Sequence, residues 1–220
     1  MNQMNFEQAR HNMIEQQIRP WEVLDQRVLE VLAQVHREDF VPPQFRNLAF
    51  SDLSVPLGRG EVMMAPKVEA RMLQALEVRA DDTVLEVGTG SGYVTALLAT
   101  LGRHVYSVEI APEFKMDAAR RLAAHGLDNV TLEVGDGATG WDRHGPYDVI
   151  AITGSLPTLP RNFEESLSIG GRLFAILGDS PVMSATLVTR VGEDEWAHET
   201  LFETDLPPLL NAPRVQRFTL

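Results

Sequence analysis

The stretch Leu85-Glu86-Val87-Gly88-Thr89-Gly90-Ser91-Gly92-Tyr93 decides the fold. Its three glycines alternate with other residues between an apolar run over 83–87 and a helical pattern over 93–101. A glycine turn that ends a strand and opens a helix is the ligand-binding corner of an α/β sheet. Glycine lets the backbone approach a ligand closely and adopt positive φ, and the helix start adds N–H donors that lack intrahelical partners. The spacing excludes two common ligands. A dinucleotide fingerprint counted from Gly88 needs a glycine where Tyr93 stands, and the Gly-Lys-Ser/Thr of a phosphate-binding loop is absent.

Outward from this turn the texture is regular. Residues 104–108, 130–134, 148–153 and 172–177 read as strands, and residues 112–125 and 162–167 as helices. Strands alternating with helices imply right-handed crossovers and a mostly parallel sheet. Residues 185–191 and 196–204 are strand-like with only Gly192-Glu-Asp-Glu195 between them, so they are expected to pair antiparallel. Upstream, Phe6, Ala9, Met13, Ile14 and Ile18 repeat at helical spacing until Pro20. Asp25 is placed to cap a second helix carrying Val28, Leu29, Leu32 and Val35. Residues 40–66 read as irregular, and a further helix is expected to start at Pro66. Residues from Pro207 to the end read as loop. The expected fold is α/β: a Rossmann-like, doubly wound, mostly parallel sheet with an antiparallel C-terminal strand pair and an N-terminal helical extension. Residues 1–66 are expected to pack over the active site, and residues 67–220 to form the ligand-binding domain.

Composition narrows the function. The chain has 220 residues, 44% hydrophobic and 23% charged, which suits one soluble globular unit. A net charge of −12 opposes binding to nucleic acid or to an anionic membrane surface. No run approaches the ~20 apolar residues of a membrane span. With no cysteine, disulfides, thiolate catalysis and Cys-ligated zinc are excluded. His11, His36, His104, His125, His144 and His198 show no metal-ligand spacing, so no metal is expected.

The motif that remains, Glu-x-Gly-x-Gly-x-Gly, resembles that of Rossmann-like S-adenosylmethionine methyltransferases. Acidic residues at three strand ends suit this cationic ligand. Glu109, followed by Ile110, is placed to accept from both ribose hydroxyls. Asp136, followed by Gly137, is placed to accept from the adenine amino group. Glu86 is placed to face the methionine ammonium, directly or through water. Gly88, Thr89, Gly90, Ser91 and Gly92 form the loop against the ligand. Asp148, at a strand start, is read as structural, and Thr153 lies near the crevice with its role open.

Much of the chain is similar to the protein-L-isoaspartate O-methyltransferase family. The resemblance runs from Met13-Ile-Glu-Gln-Gln-Ile-Arg-Pro20 to Gly170-Gly-Arg-Leu173. It includes Phe40-Val-Pro42, Pro56-Leu-Gly58, Ala65-Pro66, Val84 to Tyr93, Val105-Tyr-Ser-Val-Glu109, Asn129-Val130, Gly135-Asp-Gly137, Gly140-Trp141 and Pro146-Tyr-Asp148. It implies methyl transfer from S-adenosyl-L-methionine to the α-carboxyl of an isoaspartyl residue, leaving S-adenosyl-L-homocysteine. The ester then collapses to a succinimide that reopens partly to aspartate. A carboxylate is ionised at neutral pH, so attack needs no general base, and alignment of the reacting atoms does most of the work. The expected partners are isoaspartyl proteins or peptides, the expected location is cytoplasmic, and the expected state is a monomer or weak homodimer.

One stretch departs from the family. In Gly60-Glu-Val-Met-Met-Ala-Pro-Lys67, alignment on Ala65-Pro66 puts Met64 where the family has an active-site serine. A thioether donates no hydrogen bond. Three readings follow: Thr89 or Lys67 supplies the missing donor, the substrate differs, or the domain binds cofactor without catalysis. Phe50-Ser-Asp52 and the C-terminal end also depart from the family pattern.

Overall fold

The computed structural model describes residues 5–213. Its centre is a seven-stranded sheet: β3 (Thr83–Val87), β4 (His104–Glu109), β5 (Val130–Val134), β6 (Tyr147–Leu156), β7 (Leu167–Asp179), β8 (Val182–Arg190) and β9 (Trp196–Thr204). The strand order is β5-β4-β3-β6-β7-β8-β9. Pairing is parallel from β5 through β7, then antiparallel for β7–β8 and β8–β9. The chain runs outward through β3, β4 and β5 and then returns to β6. The strand order therefore reverses between β3 and β6, and a crevice opens at their carboxyl ends.

Alternation along the strands feeds two cores. Val84, Val105, Val149, Ala151, Phe174 and Ile176 join the larger one. It also takes residues of α1 (Phe6–Met13), α2 (Gln26–Gln34), α3 (Pro66–Leu76), α4 (Tyr93–Leu101) and α5 (Pro112–Ala124). Leu85, Val87, Ile150, Ile152, Leu173 and Ala175 join the smaller core, where the short helix α6 (Arg161–Glu165) contributes Phe163. The winding is unequal: five helices contribute to one core and one short helix to the other.

Helix ends follow their sequence signals. Asp25 caps α2 by accepting from Arg27 N at 2.9 Å. Proline stands at the start of α3 and α5, where its missing N–H costs nothing. After α1 the chain continues through a π-helical turn, Ile14–Ile18, before a 3-10 turn containing Pro20.

Residues 40–66 are more ordered than the sequence indicates. They hold a 3-10 segment, Pro43–Leu48, and an antiparallel hairpin of β1 (Val55–Gly58) and β2 (Glu61–Met63). The strands are of four and three residues, too short for alternation to register in sequence, and the tight turn places Gly58, Arg59 and Gly60 at positive φ. Strand β7 also starts earlier than its apolar run, because Gly170-Gly171 interrupts the pattern without ending the strand. The antiparallel β8–β9 pair forms as expected. Of the tail read as loop, residues 214–220 lie outside the described residues. Among the described residues no helix is long and apolar enough to cross a membrane.

Candidate active site

The glycine turn is built from beneath. Gly88 N donates to Val108 O at 2.9 Å, joining it to β4. The Thr153 hydroxyl, on β6, faces the carbonyl oxygens of Val87 at 2.9 Å and Gly88 at 2.5 Å. Gly88 has φ +96°, and a β-carbon there would lie 2.4 Å from Thr153 Oγ1. Both observations require glycine. Gly92, at φ +85°, closes the turn as the N-cap of α4, against Ala118 of α5.

A cleft of about 470 Å³ opens over this turn. Gly88, Gly90, Glu109, Ile110, Asp136 and Gly137 all line it, as the sequence placed them. Glu109 is buried and accepts from Gly90 N at 2.8 Å and from Ala111 N at 2.9 Å. Its carboxylate is thus fixed at the cleft wall, with a further acceptor lone pair on each oxygen. Asp136 accepts from Ala138 N through Oδ1 at 3.0 Å. Asp148 accepts from Thr83 N at 2.8 Å, a structural bond between β6 and β3, as its sequence position implied.

Glu86 lies elsewhere. It is fully buried and does not line the cleft. Oε2 accepts from Ser107 Oγ at 2.6 Å and from the Thr95 hydroxyl, while Oε1 has no partner. Burial pushes its pKa from 4.5 to about 8; the two hydroxyl donors oppose the shift and the charge of Glu109 adds to it. Thr89 belongs to the same chain of hydroxyls, its Oγ1 lying 2.6 Å from Ser107 Oγ.

Met64, Thr89 and Ser91 line a small recess next to the cleft, with Val62, Met63, Glu69 and Val94. Both methionines are buried. Of the two donors that could replace a hydroxyl at Met64, Thr89 is bonded to Ser107, and Lys67 Nζ donates to Asp52 Oδ2 at 2.8 Å.

The cleft is acidic. Glu61, Glu109, Glu113 and Asp136 line it against one arginine, Arg59, which pairs with Glu113. Burial raises the Glu61 pKa, and Glu109 raises it further. This field favours a cationic ligand.

Some lining residues escaped the sequence reading. Arg59 and Glu61 come from the β1–β2 hairpin, and Pro207, Pro208, Leu209 and Leu210 from the segment read as a loop tail, with Leu206 just before it. Neither segment carries a periodic pattern, and the Pro207-Pro208 pair marks only an extended backbone.

The site fits S-adenosylmethionine by chemistry as well as motif. The walls are acidic, the turn presents Gly88 and Gly90 to the cleft, and Glu109 presents a fixed carboxylate where a ribose diol is expected.

Known proteins agree. "Protein-L-isoaspartate O-methyltransferase 2" of Pelobacter propionicus is 39% identical over 209 residues, spanning 94% of this chain and 93% of its own length. "Protein-L-isoaspartate O-methyltransferase 1" of Rhodopseudomonas palustris is 37% identical over 207 residues, spanning 94% and 84%. A Plasmodium falciparum crystal structure described as a protein-L-isoaspartate O-methyltransferase in complex with S-adenosyl-L-homocysteine superposes with a TM-score of 0.79. It covers 94% of this chain and 99% of its own, at 18% identity, and so shares the fold. The family profile of protein-L-isoaspartate(D-aspartate) O-methyltransferase matches residues 8–211, and the chain belongs to that family.

Proposed function

We propose that this protein transfers a methyl group from S-adenosyl-L-methionine to the α-carboxyl of isoaspartyl residues in damaged proteins and peptides. The observation that carries the reading is the Glu109–Gly90 bond, which fixes an acid against the glycine turn in a family member whose cleft is acidic.

When bound, the cofactor supplies an electrophilic methyl group on sulfonium sulfur. Glu109 would hold the ribose hydroxyls and Asp136 the adenine amino group, with Ile110 and Gly137 beside the base. Gly88 and Gly90 let backbone approach the ligand, and Thr153 keeps the turn in shape. Glu86 is tied to α4 through Thr95 and to the turn through Ser107, which bonds Thr89. The acceptor carboxylate is ionised at neutral pH, so no residue need remove a proton. Alignment and exclusion of water are what the protein must provide. The recess at Met64, Thr89 and Ser91 is assigned to the acceptor side. We assign residues 1–66 the role of packing over the active site, because their hairpin lines both the cleft and the recess. A cytoplasmic location and a monomer or weak homodimer complete the reading, with neither nucleic acid nor membrane as partner.

The test pairs an isoaspartyl peptide with its aspartyl twin and labelled cofactor. Label on the isoaspartyl peptide alone supports the proposal; none on either at high enzyme concentration removes it.

Met64 favours a second reading, in which the cofactor site is kept but a different acceptor is methylated. Its recess offers thioether and aliphatic surface where a donor is expected. Turnover of a metabolite panel without turnover of the peptide would select it. Tight cofactor binding with no turnover in any assay would point instead to a binding module.

A further inference from the structure

The segment after β9 lines the cofactor cleft and is stitched to the end of β6. Ser155 N donates to Pro207 O at 3.0 Å, Leu209 N to Ser155 O at 2.9 Å, and Ser155 Oγ to Leu206 O at 2.7 Å. Leu209 then packs onto the glycines below it. A β-carbon on Gly154 would lie 2.6 Å from Leu209 Cδ2, and one on Gly88 3.6 Å from the same methyl. The segment is thus seated on the ligand-binding turn itself.

Two residues further on, Asn211 adopts φ +63°, a left-handed conformation that asparagine tolerates better than most residues. Its Nδ2 donates to Asp136 Oδ2 at 2.9 Å. Asp136 Oδ1 already accepts from Ala138 N. Both Asp136 and Asn211 are exposed. An exposed carboxylate held at one oxygen can swing about its side-chain bonds; held at both, it keeps one orientation. Each oxygen retains a lone pair for a further donor.

We propose that Asn211 is a specificity-determining residue of the cofactor cleft: by holding Asp136 Oδ2 it fixes the carboxylate as acceptor for a purine 6-amino group, and so sets a preference for 6-amino over 6-oxo purines. This rests on the reading that places Asp136 at the adenine. The chemistry is directional. A 6-amino group donates to the carboxylate, whereas a 6-oxo group faces it with a second acceptor and offers its nearest donor only at ring N1. A mobile carboxylate could turn away from the oxo group and discriminate less. Asn211 therefore acts by denying Asp136 that escape.

Calorimetric titration of the full-length protein with S-adenosyl-L-homocysteine and with its inosine counterpart gives the discrimination ratio. Asn211→Ala should lower that ratio by about fivefold or more, the scale of one hydrogen bond, with a melting temperature only slightly lowered, since alanine accepts the left-handed backbone at this exposed position less well than asparagine. Asn211→Gln, which keeps the amide donor, should retain most of it. Asp136→Ala is the reference. If Asp136→Ala loses discrimination while Asn211→Ala keeps it, the proposal for Asn211 falls and the Asp136 reading stands. If Asp136→Ala also keeps it, both fall. Tighter binding of the adenosyl ligand to Asn211→Ala would show that the amide competes for Oδ2, and would overturn the proposal as well.

Discussion

Arg37 holds Met64 by its main chain: Nη2 donates to the Met64 carbonyl oxygen at 2.7 Å. The guanidinium is fully buried, donates from Nε to Ala49 O at 2.8 Å, and pairs with the buried carboxylate of Glu69. Burial pushes the Glu69 pKa up and the arginine opposes the shift. Removing one partner strands the other without water. Arg37→Met should therefore cost about 3–5 kcal/mol, and Glu69→Met a similar amount. The double variant should cost much less than the sum, since no buried charge is left over. Urea unfolding of the four proteins measures this coupling, and strictly additive losses would contradict it.

Glu86 gives the protein a pH-dependent instability. Its pKa is about 8 in the fold against 4.5 for the free side chain. The folded state therefore binds the proton more tightly, and stability falls as pH rises from about 4.5 to about 8. Glu86→Gln carries no such linkage. Relative to wild type, it should gain on the order of a few kcal/mol between pH 5 and pH 8. Urea midpoints at the two pH values test the sign. A variant whose pH slope matches wild type would place the titration elsewhere.

Glu109 is tied to the turn by Gly90 N and to its own chain by Ala111 N. Glu109→Gln keeps the shape but removes the charge and makes one of the two terminal atoms a donor. Cofactor affinity should fall by ~1.5–3 kcal/mol, the scale of a hydrogen bond to a charged group. Titration calorimetry reads the loss directly, and an unchanged affinity would remove Glu109 from the ribose.

The parts legible in sequence are those with a strong local rule. Five parallel strands and their helices follow from apolar runs alternating with helical patterns, and the glycine spacing at Gly88, Gly90 and Gly92 locates the crevice. Glu109 and Asp136 line the cleft because a strand end fixes where its next residue points. Glu86 was placed correctly on β3 but not in the cleft, since its position on the strand does not reveal that Ser107 and Thr95 hold it below the turn. The tail wall and the Arg37–Glu69 pair are long-range: Leu209 meets Ser155, and Arg37 meets Glu69, through tertiary contacts that no periodicity reports.

Met64 is where activity and sequence pull apart, so substituting it is the most informative experiment. The side chain is buried in a recess shared with Val62, Val94, Glu69 and Thr89, and nearby Lys67 is already paired with Asp52. Met64→Ser removes thioether volume and adds one donor. Loss of packing should cost about 2–4 kcal/mol of stability, visible as a lower melting temperature. Affinity for the cofactor should change little, because Met64 does not line the larger cleft. Methylation of an isoaspartyl peptide should rise about tenfold in kcat/KM, the size of one charge-assisted hydrogen bond to the acceptor carboxylate. Met64→Ala opens the same space without the donor and should show no such gain. An equal rise in both variants would assign the effect to room, not hydrogen bonding. A fall in both, with a metabolite still turned over by the unaltered protein, would mean that Met64 shapes the recess for a different acceptor.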